Sequence, residues 1–433
     1  MNNLTCCNSY KRSRKVLLIL GVFLLIGLTG FAQAPGTGFR PLRDRVSPPV
    51  PGAGQITHVS NFREYTTVQL AQSTPRFFEM FPVPQPQLPV QTWDIRFTST
   101  DFDGTPVTIH AQLFVPVLGG ARGNMDNQLP LYVFASGTTG ISNESAPSLE
   151  QPEVERWGWY RENMLAYASQ GYIVIFPDYT GFHDPNRIQR YFSKLAEGYM
   201  MLDAIRAAFN FFSRPEARNL RLRPSQAVFT AGYSQGGHAA MAAADLRPYY
   251  APEVPLTGVI TYGSTNDVEA LMREGVAYTP LILYAYREMY GPELVRIEDV
   301  LQARWLPNFD REAQFRLPQF QAHFGFQQAP VFTPAFRNAL NNRTMRRDFP
   351  SLYYLMAENH TGHTGHGLPA LVIQGSLDFI VTDATQTIFV ERLRELGSEV
   401  DFRIFPGVSH RYTRHAGFQP SLDWMAEQIR RMQ

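Results

Sequence analysis

The stretch GYSQGGHAA, Gly232 to Ala240, constrains this chain more than any other: one serine stands between glycines two residues to either side, and a further glycine follows directly. It closes the apolar run Ala227 to Ser234 and opens a segment with helical spacing, so Ser234 falls where a strand hands over to a helix. A turn that tight forces the serine backbone into a strained conformation, and larger side chains two residues away would collide. Gly232 and Gly236 relieve the crowding, and Gly237 lets the helix approach the sheet. The pattern predicts Ser234 as a nucleophile with Oγ at the strand's C-terminal edge, and the Gln235 amide, at a helix N-terminus, as an oxyanion donor. An ordinary strand-to-helix turn is the plainer alternative, so the surroundings must decide.

Those surroundings read as α/β. Trp93 to Thr98 and Val107 to Val115 alternate apolar and polar residues on either side of Asp103-Gly104, a β-hairpin signature. Continuous apolar runs follow at Leu131 to Ser136, Tyr172 to Asp178, Ala227 to Ser234, Leu256 to Gly263, Ala370 to Asp378 and Val400 to Gly407. Segments of helical spacing separate them, among them Arg190 to Phe212 and Asp383 to Leu396. Buried strands alternating with helices predict a mostly parallel central sheet with helices on both faces. The interval from Gly263 to Ala370 is far too long for one connection. Its helical stretches, Thr279 to Tyr290, Glu293 to Leu306 and Pro334 to Asn341, predict an inserted helical cap over the sheet's edge.

A serine needs a base and an orienting acid to attack at neutral pH. In this architecture the order along the chain is serine, acid, histidine, each at the end of a later strand. Asp378 ends the first strand after the insertion, and His410 follows the next within three residues. Ser234 is therefore the expected nucleophile, His410 the general base and acid, and Asp378 the orienting carboxylate. His415 is the main rival to His410; Asp383 reads better as an N-cap or first-turn residue, and His238, one turn past the serine, as packing near the turn. The loop FASGTTG, Phe134 to Gly140, supplies the second oxyanion donor in the Thr138 amide, with a plain glycine-rich turn as the alternative. His360, His363 and His366 recur every three residues, but Gly362 and Gly365 interrupt any helix between them, so no metal site is expected.

The first thirty-four residues read as a secretory signal peptide: Lys11, Arg12, Arg14 and Lys15, an apolar run from Val16 to Leu28, and the cleavage signal Ala32-Gln33-Ala34. That run is short for a membrane span, and no cysteine follows it to carry a lipid, so no stable membrane anchor is expected. Cys6 and Cys7 both lie inside the segment, which leaves a mature chain without disulfides. Removing the four basic residues takes the formal net charge from +1 to −3, which gives no case for nucleic acid as a partner. The expected organisation is a signal peptide (1–34), a Pro/Gly-rich segment (35–89), a core in two parts (90–264 and 369–433) and the cap (265–368). The stretches Pro35 to Gly54 and Phe81 to Pro89 are too rich in proline and glycine for regular structure, so the fold proper is expected to start near Val90.

With these residues placed, the chain resembles an α/β-hydrolase, and more closely the secretory lipase family. The resemblance runs from about Trp93 to the C-terminus and rests on SGTTG, GYIVIFPDYTGF (Gly171 to Phe182), LAEGYMMLDAIRAA (Leu195 to Ala208), GYSQGGHAA and the insertion. It departs at Ser136, where relatives often carry histidine. The resemblance implies hydrolysis of carboxylic esters through an acyl-enzyme, with no cofactor; the substrate expected is a small-molecule or lipid ester, and the signal peptide makes a secreted or periplasmic protein the expectation. A serine peptidase of the same fold and a non-catalytic binding domain are the other readings, and the oligomeric state is left open.

Overall fold

A computed structural model describes residues 35–119, 127–151 and 158–433; the expected signal peptide, 1–34, lies outside the described residues. Among the described residues, nine strands form one sheet: β1 (Ile56–Tyr65), β2 (Val90–Thr100), β3 (Pro106–Pro116), β4 (Asn127–Ala135), β5 (Ile173–Pro177), β6 (Leu222–Tyr233), β7 (Gly258–Tyr262), β8 (Ala370–Gly375) and β9 (Val400–Phe405). Their spatial order is β1-β2-β3-β5-β4-β6-β7-β8-β9. The first three strands are antiparallel to their neighbours, and every pairing from β5 and β4 through to β9 is parallel.

Strand alternation sets the layers. Leu131, Val133 and Ala135 of β4 join Ile173 and Ile175 of β5 in one buried cluster, while Tyr132, Phe134, Val174 and Phe176 join another. Side chains of successive strand residues point to opposite faces, so strands apolar at every position demand cover on both. The helices Lys194–Phe211, Gln235–Tyr250 and Asp383–Glu395 cover the first face, and Tyr160–Ser169 and Phe418–Arg431 the second. The hairpin expected around Asp103-Gly104 forms with Trp93 opposite Leu113, and Gly104 takes φ +86° in its turn. Among the described residues, no helix is long and apolar enough to cross a membrane.

Between β7 and β8 runs a helical segment with a buried cluster of its own, in which Leu281, Ile282, Phe320 and Phe336 take part. It includes the helices Val268–Glu274, Thr279–Tyr290, Pro334–Asn341 and Pro350–Asn359. The single helix expected over Glu293 to Leu306 is corrected. It is a short helix, Ile297–Val300, followed by a 3-10 turn, Ala303–Asn308, because Leu301 turns extended and bridges to Phe332.

A second correction concerns where the fold begins. It starts well before Val90: β1 is the sheet's edge strand, and the helices Thr67–Ser73 and Pro75–Phe78 follow it. Within the proline-rich Pro35 to Gly54 there is a 3-10 turn, Leu42–Asp44, and its neighbours are tied to the fold. Arg40 grips the buried Glu358 with two bonds, Nε to Oε1 (2.8 Å) and Nη2 to Oε2 (2.6 Å), and Arg45 donates to Glu358 O. The sequence hid β1 because its register slips twice, between Ile56 and His58 and between Ser60 and Arg63, and Asn61 takes φ +54°. Such irregularities destroy the period-two pattern by which a strand is recognised. Without this segment, Glu358 loses its bidentate partner and β2 becomes an open edge, and breaking a buried ion pair alone costs about 3–5 kcal/mol. A chain starting at residue 90 should therefore melt at least about 4 °C below one starting at residue 35, as circular dichroism on the two proteins would show.

Candidate active site

β6 ends at Tyr233 and the helix Gln235–Tyr250 begins two residues later, so Ser234 alone makes the turn. It has φ +54° and ψ −117°, a conformation that costs a non-glycine residue about 1–3 kcal/mol. Three hydrogen bonds hold it: its amide donates to Tyr262 O of β7 (2.9 Å), and its carbonyl accepts from Gly237 N (2.9 Å) and Thr265 N (3.3 Å). The glycines stand where the spacing requires. A Cβ at position 232 would collide with Gly236 O, one at 236 with Ala135 O, and one at 237 with Ser264 Cβ.

Past the end of β8, the turn residue Asp378 is fixed by its own backbone neighbours: Oδ1 accepts the amides of Ile380 (3.0 Å) and Val381 (2.9 Å). Its Oδ2 lies 2.6 Å from His410 Nδ1, on the 3-10 turn His410–Tyr412 that follows β9. Gly263, at φ +53° past the end of β7, leaves room for the pair; a Cβ there would stand 3.1 Å from His410 Nδ1 and 3.2 Å from Asp378 Oδ2. A carboxylate on Nδ1 draws the ring proton to that side and leaves Nε2 as an acceptor. Nε2 is buried and makes no hydrogen bond, to Ser234 Oγ or to any other atom of the described residues. Tyr233 packs on the same ring, with centroids 5.1 Å apart. The structure thus brings Asp378 and His410 into contact and sets Ser234 at the end of β6, two strands from β8 in the sheet, without a serine–histidine hydrogen bond in this conformation. Ser234 and His410 are only 6% and 5% exposed.

The loop after β4 is held by tyrosines. Gly137 N donates to Tyr160 Oη (2.9 Å), Thr138 Oγ1 pairs with Tyr191 Oη (2.7 Å), and Tyr179 Oη donates to Ser136 O (2.5 Å). Burial pushes the Tyr160 phenol up to about 12, so it stays protonated. Since Tyr160 already takes the Gly137 amide, Thr138 supplies the next amide along the loop. From the helical segment, Leu317 N donates to Thr139 O (2.9 Å). Beneath lies the buried guanidinium of Arg414, bonded to Gly158 O (2.8 Å) and Asn163 Oδ1 (3.2 Å) and set 4.7 Å from the Tyr160 ring and 4.8 Å from that of Tyr233.

The other candidate residues have separate partners. His415 stacks on Phe77 (4.2 Å), away from Asp378; burial, with Arg414 and Arg411 nearby, pushes its imidazole down to about 2. Thr382 caps the helix Asp383–Glu395, and Asp383 is its first-turn acid. His238 packs behind the turn between Glu197 and Asn359. His360 meets Asp267 (3.3 Å), His366 Nδ1 accepts from Leu368 N (3.1 Å), and His363 faces Phe389, with glycines 362 and 365 both at positive φ between them. Among the described residues no group of three His, Cys, Asp or Glu side chains could hold a metal ion. Sequence reasoning missed Tyr160, Tyr191, Arg414 and Glu197, all of which touch the turn or its loop. Only Glu197 carried a signal, an acid inside the apolar stripe of its helix.

The sheet order, the serine turn and the helical insertion between β7 and β8 define an α/β-hydrolase. Solved structures agree on the fold. The rice cell wall degrading esterase LipA from Xanthomonas oryzae superposes with a TM-score of 0.66 at 19% identity, over 88% of this chain and 97% of that one. Candida antarctica lipase A in its closed state does so with 0.57 at 19% identity, over 87% and 82%. The chain belongs to the secretory lipase family, whose sequence profile matches residues 162–427. Among curated relatives, the secreted triacylglycerol lipase LIP1 of Malassezia furfur is 32% identical over 128 residues, 29% of this chain and 24% of the relative. Lipase A of Moesziomyces aphidis is 24% identical over 313 residues, 69% and 61% respectively. The matches thus span about a quarter to three fifths of these relatives' length.

The position of His415 generates a pH prediction. Its native pKa lies below that of the unfolded chain, so the unfolded state binds the proton first and stability falls as pH drops from about 6.5 toward 2. His415→Phe should keep the stack on Phe77 and remove this loss. Urea titrations at pH 7 and pH 4.5 should show the acid penalty reduced by about 2 kcal/mol in the variant; an unchanged penalty would contradict the assignment.

Proposed function

We propose that this protein is a secreted serine hydrolase that cleaves carboxylic esters, with Ser234, His410 and Asp378 as its triad. The observation that carries the proposal is a strained serine at a strand-to-helix turn, next in the chain to Tyr233, whose ring packs on a histidine with its Nδ1 2.6 Å from a fixed carboxylate. The lipase and esterase names of its relatives support the same chemistry.

The reaction requires Ser234 Oγ to meet His410 Nε2, which has no partner among the described residues in this conformation; catalytic hydrogen bonds are often long before substrate binds. Oγ attacks the ester carbonyl carbon while Nε2 takes its proton, and Asp378 stabilises the imidazolium that forms. The carbonyl oxygen becomes an oxyanion facing the amides of Gln235 and Thr138, whose dipoles are aimed before the reaction begins. His410 then protonates the departing alcohol. A water molecule, deprotonated by the same ring, releases the acid and frees Ser234. No step calls for a cofactor.

The helical segment, residues 265–368, acts as a cap that shapes the acyl pocket, consistent with Leu317 on the oxyanion loop and the burial of Ser234. Residues 1–34 serve as the signal for export, in keeping with the secreted relatives. Hydrolysis of p-nitrophenyl esters from acetate to palmitate tests the reading. The parent should turn over part of the series, and Ser234→Ala and His410→Ala should each lose roughly 10^4-fold or more in kcat. A folded parent inactive on every ester, or a Ser234→Ala variant that keeps its rate, would overturn it.

A further inference from the structure

Ser-Gln-Gly-Gly is a poor way to build a rigid turn. Gly236 and Gly237 are required by the close approach to Ala135 O and Ser264, yet residues without Cβ stiffen a backbone least. Between Ser234 and the two glycines, Gln235 is the one residue with a side chain by which the fold can grip the turn. Gln235 is wholly buried, and its Nε2 donates to Glu197 Oε1 (2.8 Å). The other carboxylate oxygen, Oε2, lies 2.6 Å from Nδ1 of His238, the first side chain after the glycines. One carboxylate therefore holds the turn on both sides of its flexible pair.

Glu197 is itself well anchored. It stands 1% exposed near the start of the helix Lys194–Phe211, and Oε1 also accepts the Phe192 amide (3.0 Å). His238 Nε2 lies 2.6 Å from the carbonyl of Asn359, an acceptor only, so that nitrogen carries a proton. Asn359 ends the last helix of the insertion, and its Oδ1 accepts the Lys194 amide (2.9 Å). The arrangement has a cost. A carboxylate obliges Gln235 to present its NH2, and Gln235 Oε1 is left buried with no hydrogen-bond partner among the described residues, where an apolar side chain would incur no such penalty.

We propose that Glu197 is a positioning residue for the reaction: through Gln235 and His238 it fixes the first turn of the helix, and with it the Gln235 amide that receives the oxyanion. The inference deepens the ester-hydrolase reading and rests on it. Its effect belongs to the transition state, because the amide's aim matters most once negative charge has developed on the substrate oxygen.

The test is a double-mutant cycle of Glu197→Gln and Gln235→Met, with kcat and KM measured on the best p-nitrophenyl ester and folding checked by thermal unfolding. Deleting an oxyanion donor costs about 10²–10³ in kcat, so a donor left in place but poorly aimed should cost about tenfold. Each single variant should lose about that much in kcat with KM within about twofold, and the double variant should be no slower than the slower single. Folded Glu197→Gln with the parent's kcat would overturn the proposal, as would effects that multiply in the double variant. Should Glu197→Gln fail to fold, Gln235→Met decides alone: a lower kcat at constant KM supports the role and parental kinetics overturn it. An inactive parent would overturn the ester reading and this one together, whereas an active parent with unaffected variants overturns only the role of Glu197.

Discussion

The backbone of Ser234 is the constraint on which the rest of the site depends. A residue at φ +54° and ψ −117° stays there only if its surroundings over-determine it. Here they do so from two directions: the Tyr262 carbonyl at the end of β7 takes its amide, and Gly237 and Thr265 take its carbonyl. The bond to Tyr262 needs β6 and β7 in parallel register, with Gly232 beside Thr261 and Tyr233 beside Tyr262. That register is held by apolar residues on both faces of the sheet, so two buried clusters converge on one strained serine.

Around this turn the site is stiffened by buried polar groups. Tyr160, Tyr179 and Tyr191 hold the loop from Ser136 to Thr138, and all three hydroxyls are buried with a partner. They support a loop in which Ser136 Oγ itself is buried without a hydrogen-bond partner among the described residues. Asp378 spends one oxygen on two backbone amides and the other on His410, so the carboxylate is positioned before the histidine meets it. Preorganisation of this kind is what electrostatic catalysis requires, since groups already aimed need not reorganise during the reaction.

Much of this was legible in the sequence where local rules act alone. The apolar runs became strands in their expected places, and Gly232, Gly236 and Gly237 were readable because a tight turn admits no other residue there. What could not be read depends on contacts distant along the chain. β1 lost its alternation to register slips, and Leu301 broke a helical pattern by pairing with Phe332. The tyrosines on the loop after β4 come from two segments, the start of the helix Tyr160–Ser169 and the connection after β5, and nothing near Tyr160 or Tyr191 indicates which amide or hydroxyl it will meet. Glu197 and Gln235 lie 38 residues apart, and only folding brings the acid behind the turn.

The central claim is that Ser234 attacks while two amides receive the oxyanion. A crystal structure of the protein after reaction with an alkyl p-nitrophenyl phosphonate tests it most directly, because the tetrahedral phosphorus stands in for the attacked carbonyl carbon. The account predicts phosphorus bonded to Ser234 Oγ, its oxygen about 3 Å from the amides of Gln235 and Thr138, and His410 Nε2 turned toward Oγ. An adduct on another residue, or a phosphonyl oxygen pointing away from both amides, would contradict it.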